Sequence, residues 1–471
     1  MKVNHNMSAV VTNAQLLKTE GGLAASMERL SSGLKINHAK DDPSGIAISN
    51  KMQAQIDGLT KASEGASNGI SVLQIADSAL GEITSMLQRM RELSVQAATD
   101  TNQLEERSAI QREIESLAEE VDRISRDTEY NTKKLLDGSS DTRVYVDGAT
   151  RITVSDQVLT GKYELTITSA ATQTSVLSQT QNGAVPEGIV EINGVEIPIF
   201  QGEDMDSVFE KLRQGAELAD VSLFVTDGTK AAYPDTNVYT ELDKTFEYGD
   251  QIAFVSNQYG YHSTVEITCS NPALEQFLGL GAKPVDGKDA VVSANLNSSF
   301  QTPTITMDGN KVHITDKGGF EMNFMLEAGK TGNLSLDVTD IGRMTLQIGA
   351  NAYQTMQVRI PEVSAETLYL DEIDVRKVNG GGKAIITLDE AIAKASSVRS
   401  GIGAYQNRLE HAVDSLDAAN EDMTRAISRI GDTDMAKEMS EYTKYTVLQQ
   451  AGTSVLAQAN DMPQTVLQLL Q

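Results

Sequence analysis

Apolar residues recur along this chain in three rhythms. From residue 1 to about 137 the spacing is helical nearly throughout: Val3, Met7, Val10, Ala14 and Leu17 alternate four and three apart, and Leu23, Met27, Leu30 and Leu34 repeat the pattern. Gly33 and the run Asp41-Asp42-Pro43 interrupt it, with Asp42 expected as a helix N-cap and Pro43 at the first helical position. A long helix should follow. Met52, Ile56, Leu59, Ala66, Ile70 and Leu73 keep one seam, and Ala76, Leu80, Ile83, Leu87, Met90 and Ala97 keep it after a one-residue slip. About fifty-five residues at roughly 1.5 Å each span on the order of 80 Å, which predicts a rod. Ile110, Ile114, Leu117, Val121 and Ile124 mark a further helix.

The end of the chain mirrors its beginning. Between Leu388 and Ile430 nearly every four-three slot is apolar, with Arg399, Gln406 and Asn420 as polar seam positions of the kind that fix register. In the closing stretch 447–471, Leu448, Val455, Ala459, Met462, Val466 and Leu469 continue the spacing, with Gly452 at an intervening slot. Two readings follow. The two ends can bury their seams against each other as an ordinary helical bundle, or they can be covered by another molecule. Asp461 is the one charged side chain of the closing stretch, and Val3–Leu17 has none beyond a protonatable His5. A bundle helix facing water carries Lys and Glu on its outer side, so the bare second face points to assembly.

The middle alternates with period two. "TRVYVDGATRITVSD" and "KYELTITSA" read as strands around a turn, and short β-branched segments broken by Gly, Asn and Asp continue to about 344, with one helical insert, "MDSVFEKLRQGAEL". Residues 171–344 hold 25 acids and 10 bases, more than half of the formal net charge of -27. The strand-rich middle is therefore the solvent-facing part and the helical ends the packing part. The fold class is α+β: a long antiparallel helical coiled-coil rod from both chain ends, with a β-rich outer insertion. The divisions expected are 1–44 with 428–471 as a terminal coiled-coil core, 45–170 with 345–427 as a helical rod carrying a β-hairpin, and 171–344 as the variable outer part.

An acidic chain lacks the clustered Lys and Arg that phosphate or an anionic membrane surface would require, so no nucleic acid and no membrane are expected as partners. Cys269 is the single cysteine, which leaves no intrachain disulfide. His5, His38, His262, His313 and His411 form no pair at metal-ligand spacing, "GIGAYQ" lacks a third glycine, and "NGGGKA" lacks the frame of a phosphate loop. No catalysis, cofactor or metal is expected. The opening "MKVNHNMSAVVTNAQLL" has neither a continuous apolar core nor a small-residue cleavage site, so a cleaved signal peptide is not expected.

Three stretches carry a resemblance: "SMERLSSGLKINHAKDDPSGIAISNKMQAQIDGL", "GISVLQIADSALGEITSMLQRMRELSVQAA" and "RIGDTDMAKEMSEYTKYTVLQQAGTSVLAQAN". They resemble bacterial flagellin, over roughly residues 1–170 and 345–471. The resemblance implies a structural subunit of the flagellar filament, exported by the flagellar type III system as a partly disordered monomer and extracellular once assembled. It implies as partners further copies of the chain, the cap and hook-associated proteins, and an export chaperone that masks the terminal seam before secretion. The seam positions in question are Val3, Met7, Val10, Leu17, Leu448, Val455, Ala459, Met462, Val466 and Leu469. "LQRMRELSVQ" and "IQREI" match the segment through which many flagellins engage Toll-like receptor 5, which places Arg89, Leu93, Gln96 and Glu113 in a patch for receptor or axial subunit contact. "VEINGVEIPI", "DMDSVFEKL" and "LEQFLGLGA" are similar to a strand-helix-strand repeat of some outer domains. Gly431, His38 and Gln471 depart from common family residues, and Gly431 is expected to loosen the junction beside it. The competing readings are a hook-filament junction protein and a cytoplasmic coiled-coil scaffold.

Overall fold

The computed structural model describes all residues except 1–5, 100, 156, 231–238, 243–245, 247–248, 296–298, 340 and 470–471. Seven helices are present among them: α1 Met7–Ser32, α2 Pro43–Ala97, α3 Leu104–Asp127, α4 Met205–Leu218, α5 Pro272–Leu278, α6 Gly380–Gly431 and α7 Met435–Leu469. The chain forms two compact units, Met1–Ile70 with Leu346–Met356 and Arg408–Gln471, and Ser71–Thr345 with Gln357–Asn407.

In the first unit the helix ends follow local chemistry. The Asn6 side chain accepts from the Ala9 amide and opens α1, and Gly33, at φ 75°, closes it with its N–H donating to the Arg29 carbonyl. Asp42 Oδ1 accepts from the Ser44 and Gly45 amides at 3.1 and 2.9 Å, so α2 starts at Pro43 as its sequence requires. Asp434 caps α7 in the same way, through the Ala436 and Lys437 amides. The turn after α1 is tied to the α6–α7 break by two backbone bonds, Lys35 N–H to Gly431 O at 2.6 Å and Thr433 N–H to Gly33 O at 2.9 Å. The junction that contains Gly431 is thus held from both sides. His38 Nε2 lies 2.8 Å from Glu28 Oε1 across the same turn. Within this unit α2 and α6 run antiparallel, as the pairs Thr60–Asn420 and Ser63–Asp417 show.

In the second unit α2 buries Leu73, Ala76, Leu80, Ile83, Leu87 and Met90 completely, the seam that its spacing specifies. The ion pairs Asp77–Arg399 and Arg91–Asp389 continue the antiparallel match to α6. Helix α3 adds Ile110, Ile114 and Val121 to the buried set. Its buried Gln111 accepts from the Val375 amide and donates to the Ile373 carbonyl, both at 2.9 Å, and so secures the segment that leads into α6.

The strand-rich part of this unit has two cores. The first lies between two four-stranded antiparallel sheets. One orders Val291–Ala294, Gly161–Ser169, Gly332–Thr339 and Arg143–Tyr145; the other orders Thr304–Asp308, Lys311–Asp316, Phe320–Leu326 and Ala149–Val154. Alternate residues such as Leu165, Ile167, Ile314, Met322, Phe324 and Leu336 meet between them. Strands that precede residue 170 therefore hydrogen-bond to strands more than a hundred residues later. Nested between these halves is a second core. There a sheet of Tyr239–Glu241, Val221–Lys230, Gln251–Tyr259 and Gln173–Gln179 packs with α4, α5 and a three-stranded sheet. The hairpin Gly188–Ile192/Val195–Ile199 turns on Asn193-Gly194, both at positive φ, the geometry that this dipeptide favours.

The nested core is fastened to the start of α6 through one carboxylate. Asp220, at φ 59° in the turn after α4, accepts from Lys377 at 2.8 Å and Asn257 at 3.3 Å on Oδ1, and from Lys383 and Gln258 at 3.1 Å on Oδ2. Beside it the Val378 N–H donates to the Leu218 carbonyl. Burial pushes the Asp220 carboxyl up, but Lys377 and Lys383 outweigh it and hold the group below the usual carboxylate range. A carboxyl depressed in the folded state contributes stability above its unfolded value, near 3.9, and loses it as pH falls through the lower folded value. Asp220→Asn should cost about 2 kcal/mol of local stability at neutral pH. Amide exchange at Val378 is the readout: the wild-type amide loses protection only below about pH 4, and the variant lacks that extra protection at every pH.

Candidate assembly surfaces

Helices α1 and α7 pair through a seam of mixed small and large side chains. On α1 the inward positions are Ala9, Thr12, Leu16, Thr19, Leu23 and Ser26; on α7 they are Glu438, Tyr442, Tyr445, Gln449, Gly452, Leu456 and Ala459. Both sets keep the heptad spacing. Two glycines set how near the helices come. A Cβ added at Gly22 would lie 2.7 Å from Tyr445 Cε1, and one at Gly452 would lie 3.2 Å from Leu16 Cδ1. Polar groups close the two ends of the contact: Asn6 Nδ2 donates to the Ala459 carbonyl at 2.8 Å, and Arg29 pairs with Glu438 at 3.3 Å.

The two ends do bury a face against each other, but not the face that the spacing named. A second set of apolar side chains on both helices faces outward. Met7 is 66% exposed and Leu17 61%, Val10 is close behind, and Met462 at 54%, Val455 and Leu448 are exposed as well. Among the described seam positions Ala459 alone is buried, at 4%, because it sits on the inward face beside Asn6. Val3 lies outside the described residues, as do the side chains of Val466 and Leu469, whose backbone belongs to α7. An exposed apolar stripe along two adjacent helices is the kind of surface that marks a protein partner.

On α2 and α3, Arg89 Nη2 donates to Glu113 Oε1 at 2.8 Å and Arg89 Nη1 to Glu92 Oε2 at 3.3 Å. The hydrogen bond that Arg89 donates to Glu113, with the one it donates to Glu92, raises the guanidinium above its ordinary value, so the group is a fixed cation at any working pH. Gln96 is exposed on the same helix, and its carbonyl accepts from Asn102 Nδ2 at 2.6 Å. Leu93 differs from its companions. At 2% exposure it belongs to the interior beneath them and offers no surface. Alternation of helix faces explains this, since Leu93 falls on the stripe of Ile83, Leu87 and Met90. Among the described residues no cluster of His, Cys, Asp or Glu could hold a metal ion, and no helix is long and apolar enough to cross a membrane.

The paired glycine positions give a controlled test of the close approach. A methyl added at Gly21 would meet nothing within 4 Å, whereas one at Gly22 faces Tyr445. Gly21→Ala should stabilise α1 by up to about 1 kcal/mol through helix propensity. Gly22→Ala should fall short of that by about 1 kcal/mol, because the tyrosine ring must move. Amide exchange across residues 441–449 reads the difference.

Comparison with known proteins agrees with this geometry. The bacterial flagellin N-terminal helical region matches residues 3–141, and the bacterial flagellin C-terminal helical region matches residues 385–470. Flagellin of Clostridium tyrobutyricum is 32% identical over 464 residues, covering 98% of this chain and all of its own. Flagellin B of Vibrio anguillarum is 30% identical over 470 residues, covering 100% of this chain and 99% of its own. A solved structure of FliC from Burkholderia pseudomallei shares 18% identity and covers 72% of this chain and 99% of its own, with a TM-score of 0.24, too low to add to the argument. Identity sustained from one end of both chains to the other decides the matter: the chain belongs to the bacterial flagellin family, structural subunits of the extracellular flagellar filament and not enzymes.

Proposed function

We propose that the outward stripe of Met7, Val10, Leu17, Leu448, Val455 and Met462 is the surface through which this filament subunit polymerises. The observation that supports it is the exposure of these side chains on both paired helices while a different set of positions makes the contact between them. Fully burying an apolar side chain of this size contributes roughly 1.5–3 kcal/mol. A row of them offsets the ordering of two terminal helices once a neighbouring copy covers it. Isolated helices are marginal in water, so the same seam would stay weakly ordered before assembly and fold at the growing tip. Val3, Val466 and Leu469 extend the stripe in spacing. Ala459 serves the inner contact.

The finer parts of the reading rest on the family. Export through the flagellar type III system, without a cleaved signal peptide, suits a chain whose apolar ends need masking until they assemble. A helical groove on an export chaperone is the complementary partner for such a stripe. The cap and hook-associated proteins would meet the two ends of the polymer. The three-part division at 44, 170, 345 and 428 expresses the same plan: core, rod and outer insertion. Arg89, Gln96 and Glu113 form the exposed part of a patch for Toll-like receptor 5 or for an axial neighbour, with Leu93 supporting it from below.

Electron microscopy of the full chain with short filament seeds, beside a variant ending at Tyr445, tests the stripe. The full chain should elongate the seeds and the shortened one should not; elongation by both would remove α7 from the seam. For the patch, Arg89→Ala should lower Toll-like receptor 5 reporter signal at least about tenfold, the scale on which interface arginines act, while leaving thermal unfolding within a degree or two. An unchanged signal would assign the pair to subunit packing alone.

A further inference from the structure

Among the described residues, exposed methionine is confined to the two terminal helices: Met7, Met27, Met435, Met439 and Met462 all lie on α1 or α7. Elsewhere the same residue type is partly or wholly covered, and Met90, Met205, Met322 and Met356 are buried. Two of the five exposed methionines belong to the outward stripe, and they stand at the same end of the helix pair. Asn6 Nδ2 donates to the Ala459 carbonyl at 2.8 Å; Met7 follows Asn6, and Met462 lies one turn beyond Ala459. The other members of the stripe, Val10, Leu17, Leu448 and Val455, have no side-chain atom that can donate a hydrogen bond. Valine and leucine adhere to a neighbouring surface as methionine does, but only a thioether takes up oxygen.

From this placement we infer that Met7 and Met462 are oxidation sites for peroxides, and that their sulfoxides keep a free subunit out of the polymer until they are reduced. The inference rests on the reading of the outward stripe as the polymerisation surface. A sulphur lone pair attacks one oxygen of hydrogen peroxide. The S–O bond forms as the O–O bond breaks, and the departing hydroxide takes the proton left on the transferred oxygen and becomes water. Sulphur gives up two electrons and peroxide accepts them. Two thiols reverse the step: they become a disulfide, and the sulfoxide oxygen leaves as water. In between, each stripe sulphur carries a polar oxygen. A neighbouring copy that covers the stripe must strip water from that oxygen, and the valines and leucines beside it return no hydrogen bond.

The test treats the full chain, as dispersed subunits, with hydrogen peroxide until peptide mass spectrometry finds Met7 and Met462 converted and the buried Met90 still reduced. After the peroxide is removed, short filament seeds are added and the subunit concentration left at steady state is measured. Oxidation should raise that concentration at least about tenfold, the scale of burying one polar group without a partner. Methionine sulfoxide reductases supplied with a dithiol should restore the untreated value. A chain carrying Met7→Leu and Met462→Leu should elongate seeds normally both before and after peroxide. Unimpaired elongation by the oxidised wild-type chain overturns the inference, and equal loss in the Leu variant after peroxide overturns the assignment to these two sulphurs. An untreated Leu448→Asp chain separates the two readings. Its failure to elongate supports the stripe whatever peroxide does, and its normal elongation overturns the stripe itself.

Discussion

The close approach of α1 and α7 governs how this chain can behave. Gly22 admits the Tyr445 ring, and Gly452 admits Leu16. Ala9, Thr12, Thr19 and Ser26 complete the α1 side of a contact whose larger members are Leu16, Leu23, Tyr442, Tyr445 and Leu456. Paired helices of this kind are marginal in water by themselves. A second set of apolar groups stays on the outer face. In the proposed assembly a neighbouring copy covers that outer set. Gly33 and the α6–α7 break reinforce this locally, since two backbone bonds fix where both helices begin and end.

The second unit follows a different logic. Leu73, Ala76, Leu80, Ile83, Leu87 and Met90 on α2, with Ile114 and Val121 on α3, are fully buried within the chain, so this part carries its own core. The two strand-rich cores are likewise complete: Tyr163 packs edge-on against Phe300 at 4.9 Å, and Phe209 stacks on Phe246 at 5.2 Å. Most of the net negative charge lies in this strand-rich region. Its surface repels copies of itself, and the uncharged terminal faces do not. In the proposed assembly this difference favours association through the chain ends, and Asp220 keeps the nested core attached to the start of α6.

Much of this is legible in the residues alone. The seam of α2, the Asp42-Pro43 start and the antiparallel partnership of the chain ends all follow from local spacing and capping chemistry, which need only near neighbours. What spacing leaves open is which of two heptad faces meets the partner. Met7, Val10 and Leu17 fit a seam as well as Ala9, Thr12 and Leu16 do, and the glycine contacts decide between them. Leu93 shows the same limit, being a match in sequence to a patch that it supports from inside. Pairing of residues 143–169 with 291–339 is non-local, and no local signal encodes it. Buried polar clamps such as Gln111 and Arg359 gain meaning only once Ile373, Val375 and Asp141 are brought beside them.

Methionine oxidation reads the outward stripe at named atoms without altering the chain. Met7 and Met462 stand on the outward faces and Met90 is fully buried, so one sample contains both probes and an internal reference. In dispersed subunits Met7 and Met462 should oxidise rapidly and Met90 slowly. In assembled filaments Met7 and Met462 should slow to near the Met90 rate. Equal oxidation of Met7 and Met462 in subunits and filaments would show that the stripe remains in water after assembly, and would contradict its role as the polymerisation surface.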